Sequence, residues 1–269
     1  MITVFLRAFP ELVSRRIGMV LLGMALLMPA LHIYGWTRSL ERLPDGSFVV
    51  HAGPQPMPIH DFLRDDLRMQ LDFAHTFWVL LAVFATATAL TTFLERGWAE
   101  MIFAKGVRRW EVLLGRYLAA LFAFALALFF IAGVPALYVW GTTGITQFRF
   151  FAGLGLALLS FASLLALMAL VGVLQPNSAL LVMVGFVQFT FARFLATRED
   201  LYVLIQWEWL KTLLDWLYYV LPKNMDLQRM ATTYLAKGTF ESWWPVWSTA
   251  VFALAALALA GILLQRKNL

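Results

Sequence analysis

FLERGWAEMIFAKGVRRWEVLLGRYL, residues 93–118, is a charged, amphipathic island between two long apolar runs. The run before it is FWVLLAVFATATALTTFL, ending at Leu94; the run after it, from Val112, is VLLGRYLAALFAFALALFFIAGV. A hairpin between two membrane helices needs only a few polar residues. Here a helix-length segment carries Glu95, Arg96, Glu100, Lys105, Arg108, Arg109, Glu111 and Arg116. So much charge beside a bilayer reads as a surface offered to something outside it.

The rest of the chain fixes the class. Of its residues 61% are hydrophobic and 14% charged, with a mean hydropathy of +0.75. Soluble domains hold roughly 45–50% apolar and about 25% charged residues. The apolar residues here gather in blocks, and no long polar stretch is left to form a separate domain. A spanning helix needs about 20 mostly apolar residues. Six segments meet that measure, at about 17–34, 73–94, 112–139, 150–173, 179–196 and 244–264. The runs are continuous rather than alternating, which argues against a β-barrel. The expected fold is an all-α polytopic membrane protein forming one domain over residues 1–269. Arg15 and Arg16 precede a first apolar run that is too long for a signal peptide and lacks a clean cleavage site, so it is read as a retained helix.

Orientation follows from the basic residues. With the N-terminus in the cytoplasm, the cytoplasmic pieces hold Arg7, Arg15, Arg16, Arg96, Lys105, Arg108, Arg109, Arg116, Arg266 and Lys267, against the acids Glu11, Glu95, Glu100 and Glu111. The remaining basic and acidic residues nearly balance on the other side. Positive-inside sorting therefore favours both termini in the cytoplasm. It also accounts for the net charge of +5 without invoking nucleic acid.

Two outside loops remain, 35–72 and 197–243. In the first, Asp61 is placed to cap a helix whose Leu63, Leu67 and Leu71 share a face and which runs into the second span. In the second, residues 201–220 read as one helix with Glu208, Lys211, Thr212 and Asp215 on a narrow polar face, pairing as Glu208–Lys211 and Lys211–Asp215. Its Trp207, Trp209, Trp216, Tyr218 and Tyr219 favour the headgroup layer. This makes it interfacial or re-entrant, with a seventh span as the rival reading.

The chemistry-bearing motifs are few. There is no G-x-x-x-x-G-K-[ST] loop, so energy from ATP must come from another polypeptide. The chain has no cysteine. His32, His51, His60 and His75 lack metal-ligand spacing, and no serine, histidine and aspartate set points to nucleophilic catalysis. The chain is expected to be no enzyme, with no catalytic or metal residues and no cofactor of its own. Gln188 lies mid-span as a candidate cavity-lining residue, because polar groups at membrane depth are costly; bonding to a neighbouring helix is its other reading. Arg193 is close enough to the surface to snorkel. Gly153/Ala157, Ala162/Ala166 and Ala256/Ala260 are small-xxx-small pairs that fit packing within a bundle or dimerisation. Pro29 and Pro135 are candidate kinks.

Against this layout, residues 93–118 resemble the segment between the second and third membrane helices of ABC-2-type permeases, the membrane subunits of certain ATP-driven transporters. Glu95 and Gly97 match an E-x-G element, Arg108 and Arg109 a basic pair, and Leu114-Gly115-Arg116 the start of the third helix. Trp98 departs from the small or hydroxylated residue often found after that glycine. The lead-in VFLRAFPELVSRR and Leu221-Pro222-Lys223-Asn224 agree in outline, while the 35–72 loop is longer than in the smallest members.

The resemblance implies a cytosolic amphipathic coupling helix between helices 2 and 3, and outer helices between helices 5 and 6. It implies contact of Glu95, Arg96, Glu100, Met101, Ile102, Phe103, Lys105, Arg108 and Arg109 with a separate ATPase subunit, with ATP bound there. It further implies an ATPase dimer, a second permease copy or paralogue, and residence in the bacterial inner membrane, most often as an exporter. Two other readings stay open on sequence alone. One is a non-transporting subunit passing ATP-driven motion to an extracytoplasmic protein; the other is a secondary transporter or scaffold without an ATPase.

Overall fold

A computed structural model describes residues 16–44, 47–51, 55–91, 107–203 and 205–266. Backbone N–H and C=O groups in lipid find no water, so each apolar segment satisfies them internally as helix. Helix α1 is Arg16–Ser39, with Pro29 inside it. A small antiparallel sheet follows, β1 Leu40–Arg42, β2 Phe48–Val50 and β3 Met57–Pro58, in the order β1-β2-β3. Next come α2 Ile59–Phe73, a π-helical turn Ala74–Trp78 and α3 Val79–Thr91. After residues 92–106 the chain forms α4 Arg109–Leu128, a second π turn Phe129–Gly133 and α5 Val134–Thr143. Helices α6 Phe148–Leu174, α7 Ser178–Ala196, α8 Arg198–Leu201, α9 Glu208–Val220, α10 Asn224–Lys237 and α11 Trp244–Arg266 complete it.

Among the described residues, five helical runs are long and apolar enough to cross a membrane: Ile59–Thr91, Arg109–Thr143, Phe148–Leu174, Ser178–Ala196 and Trp244–Arg266. This is the helical bundle of a multi-pass membrane protein. Helix α6 forms its axis, packing against α2, α3, α4, α7, α10 and α11. Within its most apolar window 67% of α6 is buried, against 22% for α11, which puts α11 on the rim. Leu26, Met183 and Leu254, each more than 60% exposed, turn outward where a bilayer would meet them.

The small-xxx-small pairs serve packing inside the bundle. Gly153 and Ala157 are buried on α6. A Cβ on Gly153 would lie 2.7 Å from Leu71 Cδ2 and 3.4 Å from Ala231 Cβ, so glycine here brings α2, α6 and α10 together. Ala256 and Ala260 are likewise buried.

Several expectations are corrected. Helix α2 buries Ile59, Leu63, Leu67 and Leu71 and continues into α3, as the spacing predicts. However, its N-cap is Pro58, with no side-chain cap, and Asp61 sits in the first turn. At Pro135, a candidate kink, the helix carries a π turn, Phe129–Gly133, that ends two residues before the proline; proline supplies no N–H to the carbonyl four residues back. Residues 201–220 are not one helix: α8 ends at Leu201 and α9 starts at Glu208. At 13 residues α9 is about 20 Å long, too short for a seventh span of roughly 30 Å. Lys211 pairs with Glu208 at 2.8 Å, but Asp215 pairs with Arg198 at 3.0 Å instead.

Helix α10 follows α6 closely. Its Cα at Gly238 abuts Arg149, next to the start of α6, whereas Asn224 accepts a hydrogen bond from Ser163 at 3.1 Å. Ser163 is the sixteenth residue of α6, about 22 Å from its start. The turn between α9 and α10 therefore reaches mid-height of the bundle's axial helix, and α10 runs back antiparallel to it.

Candidate functional site

Two arginines of α4 organise the end of the bundle from which residues 92–106 emerge. Arg116, 4% exposed, donates from Nη1 to the Ala89 carbonyl of α3 at 2.6 Å. Arg109 donates from Nη1 to the Leu264 carbonyl of α11 at 3.3 Å. One helix is thus tied through its arginines to the backbones of two neighbours. Tyr117, next to Arg116, donates to the Ala162 carbonyl of α6 at 3.0 Å. The helices on either side of residues 92–106, α3 and α4, are tied to each other, and α4 to the bundle axis.

Of the expected ATPase-contact residues, Glu95, Arg96, Glu100, Met101, Ile102, Phe103 and Lys105 lie outside the described residues. Arg108 is the extended N-cap residue of α4 and is exposed. Arg109 begins the helix, and Glu111 lies in its first turn, where an acid suits the dipole.

A second cluster lies at mid-height. Asn224 and Ser163 share the hydrogen bond described above, yet Asn224 Nδ2 and Ser160 Oγ have no partner among the described residues. Apart from this cluster, Gln188 is 6% exposed on α7, and its Nε2 lacks a partner among the described residues. Buried polar groups without partners are rare and costly, so these atoms form unused hydrogen-bonding capacity inside the bundle. Arg193 is exposed, 5.9 Å from the Phe189 ring centroid, in keeping with snorkelling.

The α9–α10 turn is held by a knot of charge around Tyr218. Arg198 lies 3.6 Å from that ring's centroid and Lys223 4.7 Å from it, so the ring is flanked by two cations. Tyr218 donates to Asp226 at 2.7 Å; burial first, then this bond, push its phenol pKa upward. Lys223 donates to the Tyr218 carbonyl at 3.0 Å, while its own N–H donates to Thr249 of α11. Burial pushes the Lys223 ammonium pKa down. Asp215 is held below the usual carboxylate range by the Tyr202 hydroxyl and then by Arg198.

A third polar group joins α1 to α2. Trp36 Nε1 donates to His32 Nε2 at 2.9 Å, and Asp66 accepts from Gln70 at 2.8 Å beside it. His51 lies 2.6 Å from Glu41. Sequence spacing missed the roles of Ser163, Asn224 and Lys223. The Leu221-Pro222-Lys223-Asn224 element was their one visible signal. No family model matches the chain, and comparison with curated proteins finds no match.

Proposed function

We propose that this chain is the membrane-spanning permease subunit of an ABC-2-type transporter, an exporter driven by a separate ATPase subunit. The observation that carries the reading is the setting of Arg116, the basic residue of the Leu114-Gly115-Arg116 element. It is buried and ties α4 to the backbone of α3. A load placed on residues 92–106 would therefore move two helices together rather than flex a loop. Arg109 extends the link to α11.

In this reading α1 is the sixth span, both termini are cytoplasmic, and residues 92–106 contain the coupling helix. Met101, Ile102 and Phe103 anchor it in a groove of the ATPase, and Arg96, Glu100, Lys105 and Arg108 rim that groove. The α9–α10 turn is re-entrant from the outer side. Two such chains, or this chain and a paralogue, complete a closed two-fold assembly. The Nε2 of Gln188, without a partner among the described residues, is the polar contact the bundle offers to an amphiphilic cargo.

Gentle-detergent purification of the chain from its native membranes is expected to bring down a P-loop ATPase. A Met101→Asp, Phe103→Asp variant is expected to lose at least nine-tenths of it while keeping a monodisperse elution profile. Equal ATPase recovery with both proteins would sink the coupling assignment.

A further inference from the structure

We propose that a cleft at the end of the bundle opposite residues 92–106 binds a phosphate group, the headgroup phosphate of an anionic lipid. The cleft holds about 430 Å³ between the start of α2, the turn from α5 to α6 and the end of α10. His60, Arg64, Gln147 and Arg149 line its polar side, Phe148 and Leu235 part of its apolar side, and no carboxylate lines it among the described residues.

Four independent features favour an anion. First, neither Arg64 nor Arg149 pairs with an acid among the described residues. Second, Arg149 is placed by the backbone. Its guanidinium lies where a Cβ on Gly238 would be, 2.5 Å from Cζ, and Gly238 has a φ of +76° that few other residues accept.

Third, the cleft receives the N-terminus of the 27-residue α6, whose positive dipole end attracts anions. Gln147 is the N-cap but makes no side-chain cap. The first hydrogen bonds to its carbonyl come from Phe150 and Phe151, leaving the N–H groups of Phe148 and Arg149 as the helix's orphan donors. Fourth, Gln147 is itself only 9% exposed, lines the cleft, and has no side-chain partner among the described residues. Its amide opens onto the cleft, where a ligand oxygen can meet it.

The apolar side decides for a lipid source. Phe148 is 69% exposed and its ring centroid lies 5.9 Å from that of Trp140, itself 40% exposed. Exposed aromatic pairs at the ends of membrane helices sit at the headgroup level. The phosphate would then meet the arginines and the α6 N-terminus while an acyl chain leaves past Phe148. Bidentate guanidinium contacts to a phosphate are among the stronger charge-assisted hydrogen bonds.

The test uses purified full-length protein and native mass spectrometry, with phosphatidylglycerol and phosphatidylcholine as competing probes and inorganic phosphate as a separate arm. Wild type is expected to retain phosphatidylglycerol at least tenfold over phosphatidylcholine. Arg64→Gln, Arg149→Gln is expected to lose that preference, and Gln147→Met to reduce it about threefold. Arg193→Gln, which removes an exposed arginine outside the cleft, is expected to keep it. Thermal midpoints in phosphatidylcholine nanodiscs, unchanged within 2 °C, report that the variants are folded. Absence of a preference in wild type overturns the proposal whatever the variants do, as does a preference equal in wild type and the double variant. A thermal shift from millimolar inorganic phosphate alone, lost in the double variant, upholds the anion site and overturns its lipid source.

Discussion

An Arg116→Met protein unfolds at a clearly lower temperature than wild type. Methionine keeps most of the length and apolar contact of the arginine stem but donates no hydrogen bond. The Ala89 carbonyl then loses the donor that sits 2.6 Å away, in a position only 4% exposed in the native protein. A hydrogen bond to a charged group contributes about 1.5–3 kcal/mol. A fall of roughly 5 °C in the thermal midpoint is the expected size. Arg116→Lys should fall between the two, since lysine keeps the charge but cannot reproduce the planar fork. A midpoint within 1 °C of wild type for Arg116→Met would show that the contact between α3 and α4 carries no stability.

A Gly185→Leu protein suffers more. Gly185 lies where α7 meets α3 and α6. A Cβ there would sit 2.6 Å from Val83 Cγ1 and 3.3 Å from Met168 Sδ, before any further atom is added. Val83 and Met168 are fully buried and have little room to withdraw. Overpacking of a dense core costs about 1–3 kcal/mol for extra methylenes and more when neighbouring elements must separate. The expected outcome is loss of the monodisperse peak on size-exclusion chromatography, or a thermal midpoint lowered by roughly 10 °C. Gly155→Leu is the matched control. Gly155 is exposed on α6 with nothing within 4 Å of an added Cβ, so that variant should behave as wild type. Equal behaviour of the two leucine variants would contradict the packing described at the α3–α6–α7 junction.

Much of the bundle was readable because lipid imposes a simple rule. An apolar block of about 20 residues must be a helix, and the blocks from residue 112 onward match α4–α5, α6, α7 and α11 to within a few residues. The α2 face was readable too, since Leu63, Leu67 and Leu71 recur every fourth position. What escaped depends on partners distant in sequence. Helix α10, NMDLQRMATTYLAK, has the composition of a soluble surface helix, yet it buries Leu227 and Ala231, the latter in the space that Gly153 leaves. The break between α8 and α9 has the same origin. Arg198 and Tyr202 both reach Asp215, whereas one continuous helix would hold them about 20–25 Å away.

The sheet escaped for a different reason: its strands are two or three residues long and show no alternation to read. At the candidate site, the resemblance picked out Arg108, Arg109 and Arg116 as positively charged groups. It could not distinguish their uses. Arg108 is exposed, while Arg109 and Arg116 bond to the backbones of other helices. That distinction requires knowing which carbonyls of α3 and α11 lie beside α4 in space.

The central claim is that residues 92–106 dock onto an ATPase, and site-specific photocrosslinking in intact native membranes tests it most directly. A photoreactive phenylalanine analogue replaces Phe103 in one protein and Phe77, an exposed residue of the π turn in the run Ile59–Thr91, in another. The account predicts a crosslinked product at position 103 that contains a P-loop ATPase, and none with that protein at position 77. Position 103 yielding no ATPase adduct from folded, membrane-inserted protein would contradict it.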